Sequence, residues 1–100
     1  MPNLNERKTS MELTGKQKKA LRAAGQRLDV DVKLGRQGIT AGVLAAIKRR
    51  FEDAELIKVK IIEIGSARKQ TASELENRAN AICVGITGRS VLLYREKTSS

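Results

Sequence analysis

Leu34-Gly35-Arg36-Gln37-Gly38-Ile39-Thr40 ends a strand, turns on two glycines and opens a helix. Ahead of it, Val30, Val32 and Leu34 alternate with Asp31 and Lys33, the period of a short half-buried strand. Behind it, Thr40 suits a helix N-cap, with Ile39 and Leu44 at the N′ and N4 positions of a hydrophobic staple. Val43, Leu44, Ile47, Phe51 and Ala54 then fall on one buried stripe, with Lys48 and Arg49 outward and Arg50 at the border. A strand turning directly into a helix is the first half of a βαβ unit, and it sets the fold class as α/β.

Toward the N-terminus, residues 1–12 are polar and read as a flexible arm. Thr14-Gly15-Lys16-Gln17 fits a capping box, opening a helix that runs to about Gln26. On its wheel Leu13, Gln17, Ala20, Leu21, Ala24 and Leu28 share one side. Lys18, Lys19 and Arg22 fall opposite, flanked by Lys16 and Arg27.

Toward the C-terminus, Leu56 to Ile64 is the strongest strand, with Ile57, Val59 and Ile61 facing one way and Lys58 and Lys60 the other. Gly65-Ser66-Ala67 reads as a loop and Arg68-Lys69 as its solvated continuation. A third helix is expected from Thr71 or Ser73, each with Glu three residues on, and Ala72, Leu75, Ala79 and Ile82 form its stripe. Strands at about 83–87 and 90–95 flank Gly88-Arg89, where Gly in first place suits a type II′ turn.

The order is α-β-α-β-α-β-β. Strand–helix–strand units join parallel strands by right-handed crossovers, and the closing hairpin adds one antiparallel pair. The expectation is one compact domain over residues 13–96, a four-stranded mixed sheet with three helices, and a frayed tail at 97–100.

Composition narrows the function. Of 100 residues, 20 are Lys or Arg and 11 are acidic, a net charge of +9 that favours nucleic acid or another anionic surface. Phe51 and Tyr94 are the only aromatic residues, which disfavours a base-stacking platform; Tyr94 reads as packing. The chain has no histidine and a single cysteine, so the usual general base, an internal disulfide and a Cys/His zinc site are all missing. Cys83, within Ala81-Ile82-Cys83-Val84, reads as a small core residue. No apolar stretch approaches the ~20 residues of a membrane span, and Met1–Ser10 lacks a signal-peptide core. A cytoplasmic, monomeric protein with no cofactor, no metal and no membrane partner is the expectation.

The G-x-x-G turn is then either a plain strand-to-helix connection or an anion site. Gly35 and Gly38 allow close approach of another backbone, Arg36 and Gln37 must point outward, and the helix behind supplies unpaired amides and a positive dipole end. Lys33 and the outer face of the first helix lie close in sequence. KH domains clamp nucleic-acid backbone with a similar loop, but theirs joins two helices, whereas this one joins a strand to a helix. A P-loop is not formed, since Lys and Ser/Thr do not follow the second glycine.

Four segments in order carry a family resemblance: Leu13-Thr14-Gly15-Lys16-Gln17-Lys18, the 34–40 stretch, Glu55-Leu56-Ile57-Lys58-Val59-Lys60, and Gly88-Arg89-Ser90-Val91-Leu92-Leu93-Tyr94-Arg95. Across Leu13 to Arg95 the chain resembles the YhbY/CRM family (chloroplast RNA splicing and ribosome maturation), in its stand-alone bacterial form. The resemblance implies a fold similar to the C-terminal domain of bacterial translation initiation factor three, and RNA binding. It further implies association with large-subunit ribosomal precursors. The chain departs from the family near Asp29-Val30, where many members carry a proline, and near Asn80, where a glycine often precedes the third strand.

The expected function is a non-catalytic RNA-binding protein that contacts precursor ribosomal RNA in the pre-ribosomal particle. Its expected contacts are Gly35, Arg36, Gln37 and Gly38 in the loop, Lys16, Lys18, Lys19 and Arg22 on the first helix, and Lys33, Lys58 and Arg89. Lys58 is equally open to a structural role, its stem covering apolar surface. Arg95 matches the family's last motif. The alternative is a protein–protein adaptor whose basic face docks on an acidic partner.

Overall fold

In a computed structural model of the chain, which describes residues 13–96, Thr14 caps the first helix as the sequence requires. Its Oγ1 accepts from the Gln17 amide (3.1 Å), and Gln17 Oε1 accepts from the Thr14 amide (2.9 Å). The arm at 1–12 and the tail at 97–100 lie outside the described residues. The elements are α1 (Gly15–Gly25), β1 (Val32–Lys33), α2 (Ala41–Asp53), β2 (Leu56–Lys60), α3 (Ala67–Ala79), β3 (Ile82–Thr87) and β4 (Ser90–Tyr94). They form the expected single domain with three helices and a four-stranded mixed sheet.

The sheet order is β1-β2-β4-β3, with β1 and β2 parallel and β4 antiparallel to both of its neighbours. This corrects the expectation of a single antiparallel pair. β4 enters between β2 and β3, so the α3 crossover spans two strand positions. The reason lies in Val91-Leu92-Leu93, three consecutive buried residues that are apolar on both faces of the sheet. Only a central strand buries both faces. At the hairpin, Gly88 has φ 58 and Arg89 is not left-handed, as a type II′ turn demands.

One face of the sheet holds the main core. Ile57 and Val59 from β2, Ile61 just past its end, and Val91 and Leu93 from β4 pack beneath Ile47 and Phe51 of α2 and Ala72, Leu75 and Ala79 of α3. The other face carries α1, and here the expected buried stripe is corrected. Gln17, Ala20 and Ala24 are exposed, whereas Lys18, Leu21 and Leu28 are half-buried and Gly25 is buried. Two glycines account for the rotation. A Cβ on Gly25 would lie 2.5 Å from a methyl carbon of Leu92, and one on Gly85 of β3 would lie 2.4 Å from Cδ of Arg22. Helix and sheet approach closely at these points because neither glycine carries a side chain.

Three boundaries also differ from expectation. β2 stops at Lys60 rather than Ile64, because both neighbours stop there: Lys33 and Ser90 each pair with Lys60. Beyond the ladder, Ile62 and Ile64 are exposed. α3 starts at Ala67 rather than at Thr71 or Ser73, with no side-chain cap from Ser66. Arg68, expected in a loop, instead sits in the first turn and donates from Nε to the Gly65 carbonyl (3.0 Å) and from Nη1 to the Gly88 carbonyl (2.7 Å). Ile82, expected on the α3 stripe, opens β3.

At the other end of α3, Asn80 takes φ 55, ψ 53, the left-handed conformation in which glycine is usual and asparagine the common substitute. The departure from the family pattern therefore leaves the backbone geometry intact. Arg95 closes the same end, donating to the carbonyls of Ala79 (2.9 Å) and Asn80 (3.3 Å), with its guanidinium 5.1 Å from the Phe51 ring centroid. These contacts tie the end of β4 to the end of α3 and to the core ring of α2.

Candidate nucleic-acid interface

The loop is built by the strand before it and the cap after it. Leu34 donates its amide to the Lys60 carbonyl (2.8 Å), which holds the end of β1 on β2. The chain then reverses: the Gly38 amide donates to the Gly35 carbonyl (3.0 Å), and Gly38 sits at φ 75, where a Cβ is strained. Arg36 and Gln37 stand exposed at the turn centre, as the sequence requires. A Cβ on Gly35 or on Gly38 would have nothing within 4 Å, so both face open space. Thr40 then caps α2, its Oγ1 accepting from the Val43 amide (3.2 Å). The amides of Ala41 and Gly42, both on exposed residues, remain as donors at that end.

Parallel pairing places this loop beside two others. Since β1 and β2 run the same way, residues 35–38 and 61–66 leave the sheet at one end. The β3–β4 hairpin turns there too, with the Ile61 amide donating to the Arg89 carbonyl (2.7 Å). Arg36, Gln37, Arg68 and Arg89 therefore share one end of the molecule.

Lys33, Lys58 and Lys60 alternate with the core residues Val32, Val59 and Ile61 and so project on the α1 face. Lys33 and Lys60 are register partners and both exposed. Lys58 is half-buried in a shallow cleft with Gly25, Gln26, Thr87, Ser90 and Leu92. Its backbone amide donates to Asp31 Oδ2 (3.0 Å), while Asp31 Oδ1 accepts from Arg50 Nε (3.1 Å). Lys16 and Lys19 point outward on α1. Lys18 and Arg22 do not belong with them, which corrects the helix wheel. Lys18 is half-buried, and Arg22 lies over Gly85 with Nη1 donating to the Val84 carbonyl (3.1 Å).

Lys60 and Arg68 are additions to the expected set. The alternation that singled out Lys58 also marks Lys60. Arg68 has no such signal, since its two carbonyl partners come from separate turns. Cys83 packs against the core, and burial, foremost, pushes its thiol pKa up, away from the reactive thiolate. Tyr94 is half-buried in β4 between Leu56 and Ile82, a packing position. No helix among the described residues is long and apolar enough to cross a membrane.

Residues 13–95 match the CRS1 / YhbY (CRM) domain along their whole length. The chain belongs to this family. Among bacterial relatives it is 34% identical over 87 residues to "Probable RNA-binding protein PA4753" of Pseudomonas aeruginosa, covering 86% of this chain and 84% of that one. It is also 29% identical over 90 residues to the chloroplastic group IIA intron splicing facilitator CRS1 of Arabidopsis thaliana. That match takes in 85% of this chain but 12% of CRS1, so the plant protein is far longer than the shared domain. The solution structure of the hypothetical protein SAV1595 from Staphylococcus aureus superposes with a TM-score of 0.79 at 30% identity, covering 88% of this chain and 93% of that one.

Proposed function

We propose that this CRM protein is a non-catalytic RNA-binding protein that holds precursor ribosomal RNA during assembly of the large subunit. The observation that carries the reading is the exposed Gly35–Gly38 turn, open to solvent at both glycines and seated on a capped helix N-terminus. RNA backbone lies against the two glycines, Arg36 and Gln37 donate to phosphate or sugar oxygens, and the Ala41 and Gly42 amides add fixed donors. Lys33, Lys60 and Arg89 extend the positive surface along the sheet, with Lys16 and Lys19 on α1. Lys18, Arg22 and Lys58 contribute charge from positions where they also support packing. RNA-binding relatives support the RNA partner, and the resemblance to ribosome-associated bacterial members supports the choice of precursor ribosomal RNA and a cytoplasmic setting.

Gly35→Val tests this directly. Gly35 is not at positive φ and has an open Cβ position, so thermal stability should stay unchanged. Affinity for a structured ribosomal RNA fragment should fall on the order of tenfold, the equivalent of about 1.4 kcal/mol. A filter-binding series in which Gly35→Val binds like the parent would remove the loop from the interface.

A further inference from the structure

Ile62 and Ile64 are the two large apolar side chains most open to solvent, at 48% and 65% exposure among the described residues. They sit in the segment after β2, between the Gly35–Gly38 turn and the Gly88-Arg89 hairpin. Glu63, between them, turns Oε1 inward and out of contact with solvent. The segment is held at both ends: the Ile61 amide is bonded to Arg89, and Arg68 ties Gly65 to Gly88. The apolar pair is therefore presented on an anchored turn.

We infer that Ile62 and Ile64 form an apolar contact for an unpaired nucleobase, so that the RNA bound here carries a bulge or loop beside the backbone held by the Gly35–Gly38 turn. The inference rests on the RNA reading above and adds the class of RNA. Charge complementarity selects the occupant: cations flank the pair on both sides, Arg36 on one and Arg68 and Arg89 on the other. Strands lie about 5 Å apart, so the three turns span about 10 Å, a reach of a few nucleotides at about 3.4 Å rise each. A nucleic-acid strand supplies anions at the flanks and a flat apolar base between them. A fully paired helix keeps its base faces stacked inside, whereas a bulged base is free to leave the stack and meet an apolar side chain. Isoleucine serves as such an apolar wedge against bases in other nucleic-acid complexes.

The test compares a fully paired RNA hairpin with the same hairpin carrying one bulged adenosine, bound by the parent, by Ile62→Ser/Ile64→Ser and by Ile62→Leu/Ile64→Leu. The parent should favour the bulged RNA on the order of tenfold, from apolar burial on the two side chains. The serine variant should lose that preference at an unchanged salt slope, since no phosphate contact is removed, and the leucine variant should retain it. Equal parental affinity for the two RNAs, or a preference kept by the serine variant, overturns the inference and leaves the RNA reading standing. Binding of neither RNA by the parent overturns both. If the serine substitutions abolish only association with an RNase-treated protein partner, the patch is a protein contact and the inference fails.

Discussion

Leu93→Ala should lower the free energy of unfolding by about 3 kcal/mol, the usual cost of a leucine cavity that cannot collapse. Leu93 is 0% exposed, lies between Ile57 of β2 and Cys83 of β3 in register, and belongs to the main core. Neighbours on both sides fix the surrounding backbone, so the void remains. Small domains have about 5–15 kcal/mol in total, so the loss is a large fraction and will show as a clear shift of the denaturation midpoint. Ile64→Ser, outside the ladder, provides the contrast and should change stability by no more than about 0.5 kcal/mol. The comparison tests the insertion of β4 between β2 and β3. If β4 lay at the edge of the sheet, Leu93 would have one neighbouring strand and the cost would shrink toward about 1 kcal/mol.

Combined replacement of Lys16, Lys19 and Arg36 by alanine should weaken RNA binding about hundredfold near physiological salt and flatten the slope of log K against log salt by about 2–3. All three side chains are exposed and none bonds to another side chain or carbonyl among the described residues, so the protein should melt as the parent does. Their loss removes phosphate contacts, and the effect should be similar across RNA sequences. Lys48→Ala/Arg49→Ala is the control, since both residues are exposed on the outer side of α2. A small effect in this control and a large one in the triple variant would show that position matters beyond net charge. Equal effects would reduce the interface to a diffuse positive field.

Features governed by nearby chemistry were legible in the chain itself. The Thr14–Gln17 capping box, the Thr40 cap and the Gly88-Arg89 turn each depend on residues within a few positions, and each stands where the sequence puts it. The outward placement of Arg36 and Gln37 was legible for the same reason. Other features depend on partners far along the chain. α1 turns the face it does because Gly25 meets Leu92 and Arg22 meets Gly85, contacts that a helical wheel does not contain. α3 starts early, with Arg68 fastened to the hairpin turn 20 residues on. β2 ends where β1 and β4 end, and its own apolar pattern continues past that point. The insertion of β4 did leave a local trace in Val91-Leu92-Leu93, whose unbroken apolar character marks a strand covered on both faces.

On the proposed function, RNA backbone lies in the Gly35–Gly38 turn. Titrating labelled protein with a ribosomal RNA hairpin, and following each backbone amide by NMR, tests it most directly. The largest shifts should fall on Gly35, Arg36, Gln37, Gly38, Ala41 and Gly42, with smaller ones at Lys33, Lys60 and Arg89. Saturable shifts confined to the outer surfaces of α2 and α3, with the 35–42 amides unmoved, would contradict it.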